Sequence, residues 1–390
     1  MFISEYKLFL LYSVVFTLAV FFSFVFSGSL IRVALRFNLL DYPTDRKPHR
    51  RPVPFLGGLA VFSSFWLVIL SGILFAQFQG RELFVFSSAQ RIIDGVLSMS
   101  NKILGIFLGS LVILIVGFID DRVNLQPLQK FIGQIIAAAL LMKMGLQISL
   151  FYEFGVWGYG VTFLWILLIM NAFNFIDSLD GHCAGVELIS CLAFFWITQI
   201  ISQPMVGFFL IAFTGSLLGF LPHNFKPAKI FLGDNGSLFI GYMMAAFTLL
   251  CRYQAPETTY VTFFIPVLIF IVPIYDTLSV IVARTFRGVP FWKGDRNHFA
   301  HRLVKLGMSE RIAVIFSYLV SLTVGLIAIL TTQVTLFGAI LIGFITVSIV
   351  GVIAFLEFYA AERIRITEKL AGQGKRRKED ILEEEEERLA

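Results

Sequence analysis

Long apolar runs, repeated along almost the whole chain, constrain this sequence more than anything else in it. A spanning helix needs about 20 mainly apolar residues to cross a hydrocarbon layer about 30 Å thick. Eleven stretches approach that length, at about 8–31, 57–77, 103–119, 131–149, 159–176, 184–202, 204–221, 236–251, 261–282, 312–332 and 334–358. With 57% hydrophobic residues, 44 phenylalanines and only 15% charged residues in 390 positions, the chain exceeds what a soluble core requires. The expected fold is therefore all-α, a polytopic membrane protein of about eleven transmembrane helices. The first run has neither a basic start nor a small-residue cleavage site, so it reads as a retained helix. Cys183, Cys191 and Cys251 lie at or within apolar runs without paired spacing, and imply neither disulfides nor a zinc site.

Basic residues orient the spans, because positive loops stay cytoplasmic. An outside N-terminus puts Arg36, Arg46, Lys47, Arg50 and Arg51 in one inner loop and Arg284, Arg287, Lys293, Arg296, Arg302, Lys305 and Arg311 in another. Outer positions hold only Lys7, Arg81, Arg91, Lys102, Lys143 and Arg252, leaving at least two dozen of the 31 basic residues inside. The C-terminus is then cytoplasmic. A transmembrane domain over 1–361 is expected to be followed by a charged tail, 362–390, where a basic cluster at Lys375 to Lys378 precedes Glu383 to Glu387. Such a tail is a solvated appendage, and its basic cluster can also touch anionic lipid headgroups.

With this topology seven ionisable groups, Asp120, Asp121, Asp177, Asp180, Asp234, His298 and His301, fall on the cytoplasmic side, in or beside short loops. Carboxylates at the edge of hydrocarbon are costly, so their gathering on one side marks a functional site. In DYPTDRKPHRRPVPFLGG, cations between stiffening prolines suit phosphate oxygens, although topology alone would explain the charges and not the prolines or Gly57 and Gly58. Asp120 and Asp121 are adjacent acids at a helix end, followed by Lys130 and Gln134 one turn apart; adjacent acids want a cation or a proton, whereas one of them alone could be a cap. Asn171, Asn174, Asp177 and Asp180 recur every third residue, either as one polar face or as a seam between helices. Asp234 begins DNGS, and caps the next helix or holds a cation. His298 and His301 stand three apart among Asp295, Arg296, Arg302 and Lys305, a setting that fits a pyrophosphate better than a soft metal. Oxygen ligands without thiolates point to Mg²⁺ or Mn²⁺, and no nucleotide-binding P-loop is present. The gathered ionisable groups point to an anionic substrate; with no nucleotide-binding motif the donor should bring its own diphosphate and the acceptor should already lie in the membrane, with no nucleic acid as a partner.

In order, DYPTDRKPHRRPVPFLGG, the DD pair with its later Lys and Gln, NAFNFIDSLDG, PAKIFLGDNGS and DRNHFAHRL resemble the polyprenyl-phosphate N-acetylhexosamine-1-phosphate transferases of the WecA and TagO type, with the MraY translocases as more distant relatives. The likeness covers about residues 41 to 310. It implies transfer of a sugar-1-phosphate, GlcNAc-1-phosphate by default, from a UDP-N-acetylhexosamine to a polyprenyl phosphate such as undecaprenyl phosphate, with release of UMP. The lipid-linked product would be the first intermediate of a cell-envelope polysaccharide, made at the cytoplasmic face of the inner membrane, with homodimerisation left open.

On that resemblance Asp120, Asp121 and Asp234 are catalytic, Asp120 acting on the lipid phosphate. Asp234, with Asp121 and Asp177, would hold the metal. Lys47 and Lys130 would be basic residues at the active-site mouth, and Asn174, Asp177 and Asp180 would lie on the nucleotide side. Asn224 and Phe231 would meet the uracil, while His298, His301 and Arg302 would meet the diphosphate and sugar. The chain departs from the pattern at Ala300, where a histidine is usual, at Ser178 and Leu179 within the usual Asp-Gly-x-Asp-Gly, and at His182, where an apolar residue is common. An MraY-like enzyme using UDP-MurNAc-pentapeptide is the alternative within the same chemistry. A transporter of a lipid-linked or phosphorylated solute would place polar groups near the midplane in two similar halves, and neither is legible here. A membrane lipid phosphatase would work without a nucleotide.

Overall fold

The computed structural model describes residues 2–43, 51–78, 87–148, 155–252, 264–290 and 298–359. Lys47 and the tail 362–390 lie outside them. The protein is an all-α, polytopic membrane protein. In chain order the helices are α1 (Phe2–Phe37), α2 (Gly57–Phe78), α3 (Ser87–Ser98), α4 (Ser100–Val123), α5 (Pro127–Lys143), α6 (Val156–Ile176), α7 (His182–Ile200), α8 (Pro204–Asn224), α9 (Gly233–Leu250), α10 (Ile265–Ile269), α11 (Ile271–Phe286), α12 (Phe299–Lys305), α13 (Glu310–Thr331) and α14 (Leu336–Tyr359). Between α1 and α2 the strands β1 (Leu40–Asp41) and β2 (Val53–Pro54) form a short antiparallel ladder.

Eight of these helices, α1, α2, α4, α6, α7, α8, α13 and α14, are long and apolar enough to cross a membrane. Three of the eleven expected runs fall outside that set, each for a local reason. The run at 131–149 forms α5, which has 17 residues. That at 261–282 is divided at Phe270 into α10 and α11. The run at 236–251 becomes α9, whose first turn holds Asp234 and Asn235. The sequence reading has no counterpart for α3, a 12-residue helix that packs against α8 and buries Ile92 and Val96, four residues apart, on one face.

Helix α9 is the centre of the molecule. It packs against α2, α4 and α6, and also touches α8, and every residue from Asn235 to Leu250 is buried. A helix enclosed by protein needs no lipid-facing surface, so Gly236, Gly241, Ala245 and Ala246 can replace larger apolar residues and let neighbours approach closely. Buried polar atoms remain paired, as where the Tyr242 hydroxyl donates to the Gly105 carbonyl (3.1 Å). At the other extreme, α14 has only Thr346 and Glu357 buried.

The first turn of α2 is strapped to the segment that leads into α9. The N–H groups of Gly57 and Gly58 donate to the carbonyls of Phe231 (3.0 Å) and Leu232 (2.9 Å), and the Phe231 N–H donates to Pro54 (2.7 Å). This contact explains the glycine pair that charge topology left unexplained. A Cβ on Gly58 would stand 2.2 Å from the Asn235 side chain and 2.3 Å from the Gly236 backbone. Gly58→Ala is therefore expected to cost about 1–3 kcal/mol of stability through overpacking against backbone. Thermal unfolding of the purified variant in detergent measures it, and an unchanged midpoint would contradict the contact.

Candidate active site

Four helix ends meet at one point: the C-terminal turns of α4 and α6 and the N-terminal turns of α5 and α9. The Lys130 ammonium, on α5, lies 3.0 Å from Asp120 Oδ2 and 2.9 Å from Asp234 Oδ2. It also donates to Asn174 Oδ1 (3.2 Å), while Asn174 Nδ2 donates to Asp234 Oδ1 (2.5 Å) and Ser237 Oγ (2.9 Å). Asp120 is buried, and its Oδ1 accepts the Leu125 N–H (2.8 Å) just past the end of its own helix. One carboxylate oxygen thus closes α4 and the other faces Lys130.

Asp121 turns the other way. Its Oδ1 accepts the N–H of Asp234 (2.8 Å), and its Oδ2 accepts the N–H (3.0 Å) and Nδ2 (2.6 Å) of Asn235. Asn235 Nδ2 also donates to the Phe55 carbonyl (2.7 Å). The N-terminal amides of α9 lack intrahelical acceptors and carry the positive end of its dipole, so an acid from a neighbouring helix serves as their cap. Gly117, one turn earlier on α4, permits this approach, since a Cβ there would lie 2.4 Å from the Asn235 Cα.

The surrounding protein disfavours charge on Asp234, two residues before the apolar run 236–251. Only together do the Lys130 ammonium and hydrogen bonds from neighbouring side chains outweigh that penalty and hold the Asp234 carboxyl well below the usual carboxylate range. Asp120 and Asp234 at the ammonium, with Asp121 behind Asp234 on the start of α9, leave a formal excess of negative charge. A divalent cation would offset it.

Asp121 and Asp234 open onto a cleft of about 440 Å³, within the size range of small-molecule sites. Asp177, Asp180, Asn224, Phe231 and His301 line the same cleft, so most of the sequence-derived candidates converge there. Asp180 Oδ2 accepts the Ala228 N–H (3.0 Å). Asn224 Oδ1 accepts the Gly181 N–H (3.1 Å), and its Nδ2 donates to the Ile230 carbonyl (3.0 Å). These bonds tie the α6–α7 turn to the loop before α9. Lys226 and Glu310 also line the cleft and form an ion pair.

Other candidates are held away from it. Asn171 forms a reciprocal pair with Gln134 (3.2 and 2.8 Å), so the seam alternative describes this asparagine while Asn174, one turn on, joins the acids. His298 does not line the cleft; its Nδ1 lies 2.9 Å from Asp276 Oδ2 on α11. The Arg302 guanidinium binds Glu357 (2.9 Å) and Ser279 (2.8 Å). Lys226, Glu310, Asn235 and Ser237 were not singled out from sequence. Asn235 and Ser237 stand inside the DNGS motif, and charged residues beside spans were the available signal for the other two.

Among the described residues, no three Asp, Glu, His or Cys side chains form a ready-made metal cage. Mg²⁺ does not require one, because it keeps several waters and uses one or two carboxylates with substrate phosphates. The oxygen-only set of Asp234, Asp121 and Asp177 on one cleft fits that habit.

The glycosyl transferase family 4 model matches residues 103–252, from α4 to just past α9, a stretch that contains the acid cluster. A Bacillus subtilis protein named "Probable undecaprenyl-phosphate N-acetylglucosaminyl 1-phosphate transferase" is 31% identical over 331 residues, covering 83% of this chain and 86% of that protein. Decaprenyl-phosphate N-acetylglucosaminephosphotransferase of Mycolicibacterium smegmatis is 34% identical, over 78% of this chain and 77% of that protein. Phospho-N-acetylmuramoyl-pentapeptide-transferase of Limosilactobacillus reuteri is 32% identical, over 65% of this chain and 82% of that protein. The matched stretch carries the clustered acids, and the first two likenesses extend over more than three quarters of each chain, so this chain belongs to glycosyl transferase family 4 and is a membrane-embedded transferase.

Proposed function

We propose that the protein transfers N-acetylhexosamine-1-phosphate, with GlcNAc-1-phosphate as the default, from a UDP-sugar to a polyprenyl phosphate at the cytoplasmic face of the cytoplasmic membrane. The observation that carries this reading is Lys130 held between Asp120 and Asp234, of which Asp234 lines a cleft shared with Asn224, Phe231 and His301 while Asp120 and Lys130 stand behind it. One acid is thereby available to an incoming lipid phosphate and another to the donor diphosphate. The names of the B. subtilis and M. smegmatis relatives support the same donor sugar and acceptor class. The basic inner loops support the cytoplasmic orientation.

In the reaction an oxygen of the lipid phosphate attacks the sugar-bearing phosphorus of the donor. The bond from that phosphorus to the oxygen bridging the two phosphates breaks, and UMP leaves with the electron pair. Asp120 binds the attacking phosphate and takes its proton if it arrives protonated, while Lys130 reduces repulsion between the two anions. Asp234, with Asp121 and Asp177, would hold Mg²⁺, or Mn²⁺ in its place, which supplies Lewis-acid neutralisation of the donor diphosphate. Asn224 and Phe231 position the uracil, and Asp177 and Asp180 border the nucleotide.

The test is purified protein with Mg²⁺, polyprenyl phosphate and radiolabelled UDP-sugars, UDP-MurNAc-pentapeptide included. Labelled lipid and UMP are expected with UDP-GlcNAc, and their loss is expected in EDTA. Absence of both products with every donor would overturn the reading, product only with the pentapeptide donor would replace it with the MraY-like alternative, and full turnover in EDTA would remove the metal.

A further inference from the structure

The last span carries an acid that the proposed chemistry leaves unused. Glu357 is nearly buried, 9% exposed, on a helix where Thr346 is the only other residue buried to that degree. An acid in such a helix is costly unless matched, and here both oxygens are matched. Oε1 accepts from Arg302 Nε (2.9 Å) and Oε2 from the Tyr275 hydroxyl (2.6 Å), while Arg302 Nη2 donates to Ser279 Oγ (2.8 Å). The guanidinium also lies 6.0 Å from the Tyr275 ring centroid.

Arg302 belongs to α12, a seven-residue helix too short to hold its own orientation. Its start is fixed by Asp276, which meets His298 Nδ1 and the Phe299 N–H. Its far side is fixed by Glu357 through Arg302, and Ile353, one turn before Glu357, packs with the cluster of Phe299 and Leu303. His301, which lines the cleft, immediately precedes Arg302.

We propose that Glu357 is a positioning residue: by clasping Arg302 it makes the outermost helix a strut that sets where His301 stands in the cleft. The inference rests on the transferase reading above for its kinetic consequence, though not for its geometry. Arg302 then acts through the clasp and not by touching the donor, and the last span contributes to the site without lining it.

Two variants of the full chain test this, Glu357→Ala and the milder Tyr275→Phe/Ser279→Ala, each compared with the parent in detergent. Glu357→Ala is expected to raise the UDP-sugar KM about tenfold and leave the polyprenyl phosphate KM unchanged. Amide hydrogen exchange within 300–305 is expected to quicken about tenfold, with α9 still at parental rates. The milder variant is expected to move the same two quantities by about threefold. Parental KM and exchange in both variants would overturn the clasp, as would exchange that quickens throughout the protein with both KM values rising together. Should the parent transfer no sugar phosphate to any acceptor, the transferase reading falls, and exchange within 300–305 still decides the strut.

Discussion

Replacing Asp234 by asparagine should lower kcat by on the order of 10³-fold, the scale of losing one preorganised electrostatic partner of a transferring group. The substitution keeps the shape of the side chain and one acceptor for Lys130 at the 2.9 Å contact. It removes the charge that would hold a cation on the donor diphosphate. The first turn of α9 should stay in place, because its amides are capped by Asp121. The expected signature is thus a folded, monodisperse protein, its unfolding midpoint lowered modestly by loss of the Lys130 ion pair, with almost no UMP release. Turnover within about tenfold of the parent would remove Asp234 from the centre of the chemistry.

Asp121→Ala should fail differently, by weakening the fold. Three N–H donors, those of Asp234 and Asn235 and the Asn235 side chain, lose an acceptor together. Leaving a buried donor unpaired costs about 1–3 kcal/mol, so a total of about 3 kcal/mol or more is expected. Because α9 is packed on all sides, the loss should appear as one lowered unfolding midpoint for the whole protein, with activity falling alongside. Asp121→Asn, which keeps one acceptor oxygen, should fall between. A stable but inactive Asp121→Ala would remove the clamp and leave Asp121 only its proposed share in holding the metal.

These two outcomes show where residue-by-residue reading stopped. Asp120 and Asp121 are adjacent, and the sequence identified both as acids needing partners. Consecutive residues of a helix point about 100° apart, so one reaches Lys130 on α5 and the other the start of α9. Asn171 and Asn174 share the same ambiguity: one turn separates them, yet Gln134 claims the first and Asp234 the second. Glu357, a lone acid in the run 334–358, carried a signal that spans the membrane rule for buried charge, but its partner lies 55 residues away on a helix too short to read from periodicity.

The sequence by itself determined the membrane class, the apolar runs, the gathering of acids near helix ends and the oxygen-only chemistry of the cleft. Hydropathy and composition are sums over neighbours in the chain, so they survive without knowledge of packing. Only the tertiary structure decided that α9 sits at the centre, that Asp121 caps it from α4, that Lys130 stands between Asp120 and Asp234, and that the last span holds the helix of His301. Each of those depends on which distant helices touch, and at hydrogen-bond range a single turn of rotation decides between a partner and an empty space.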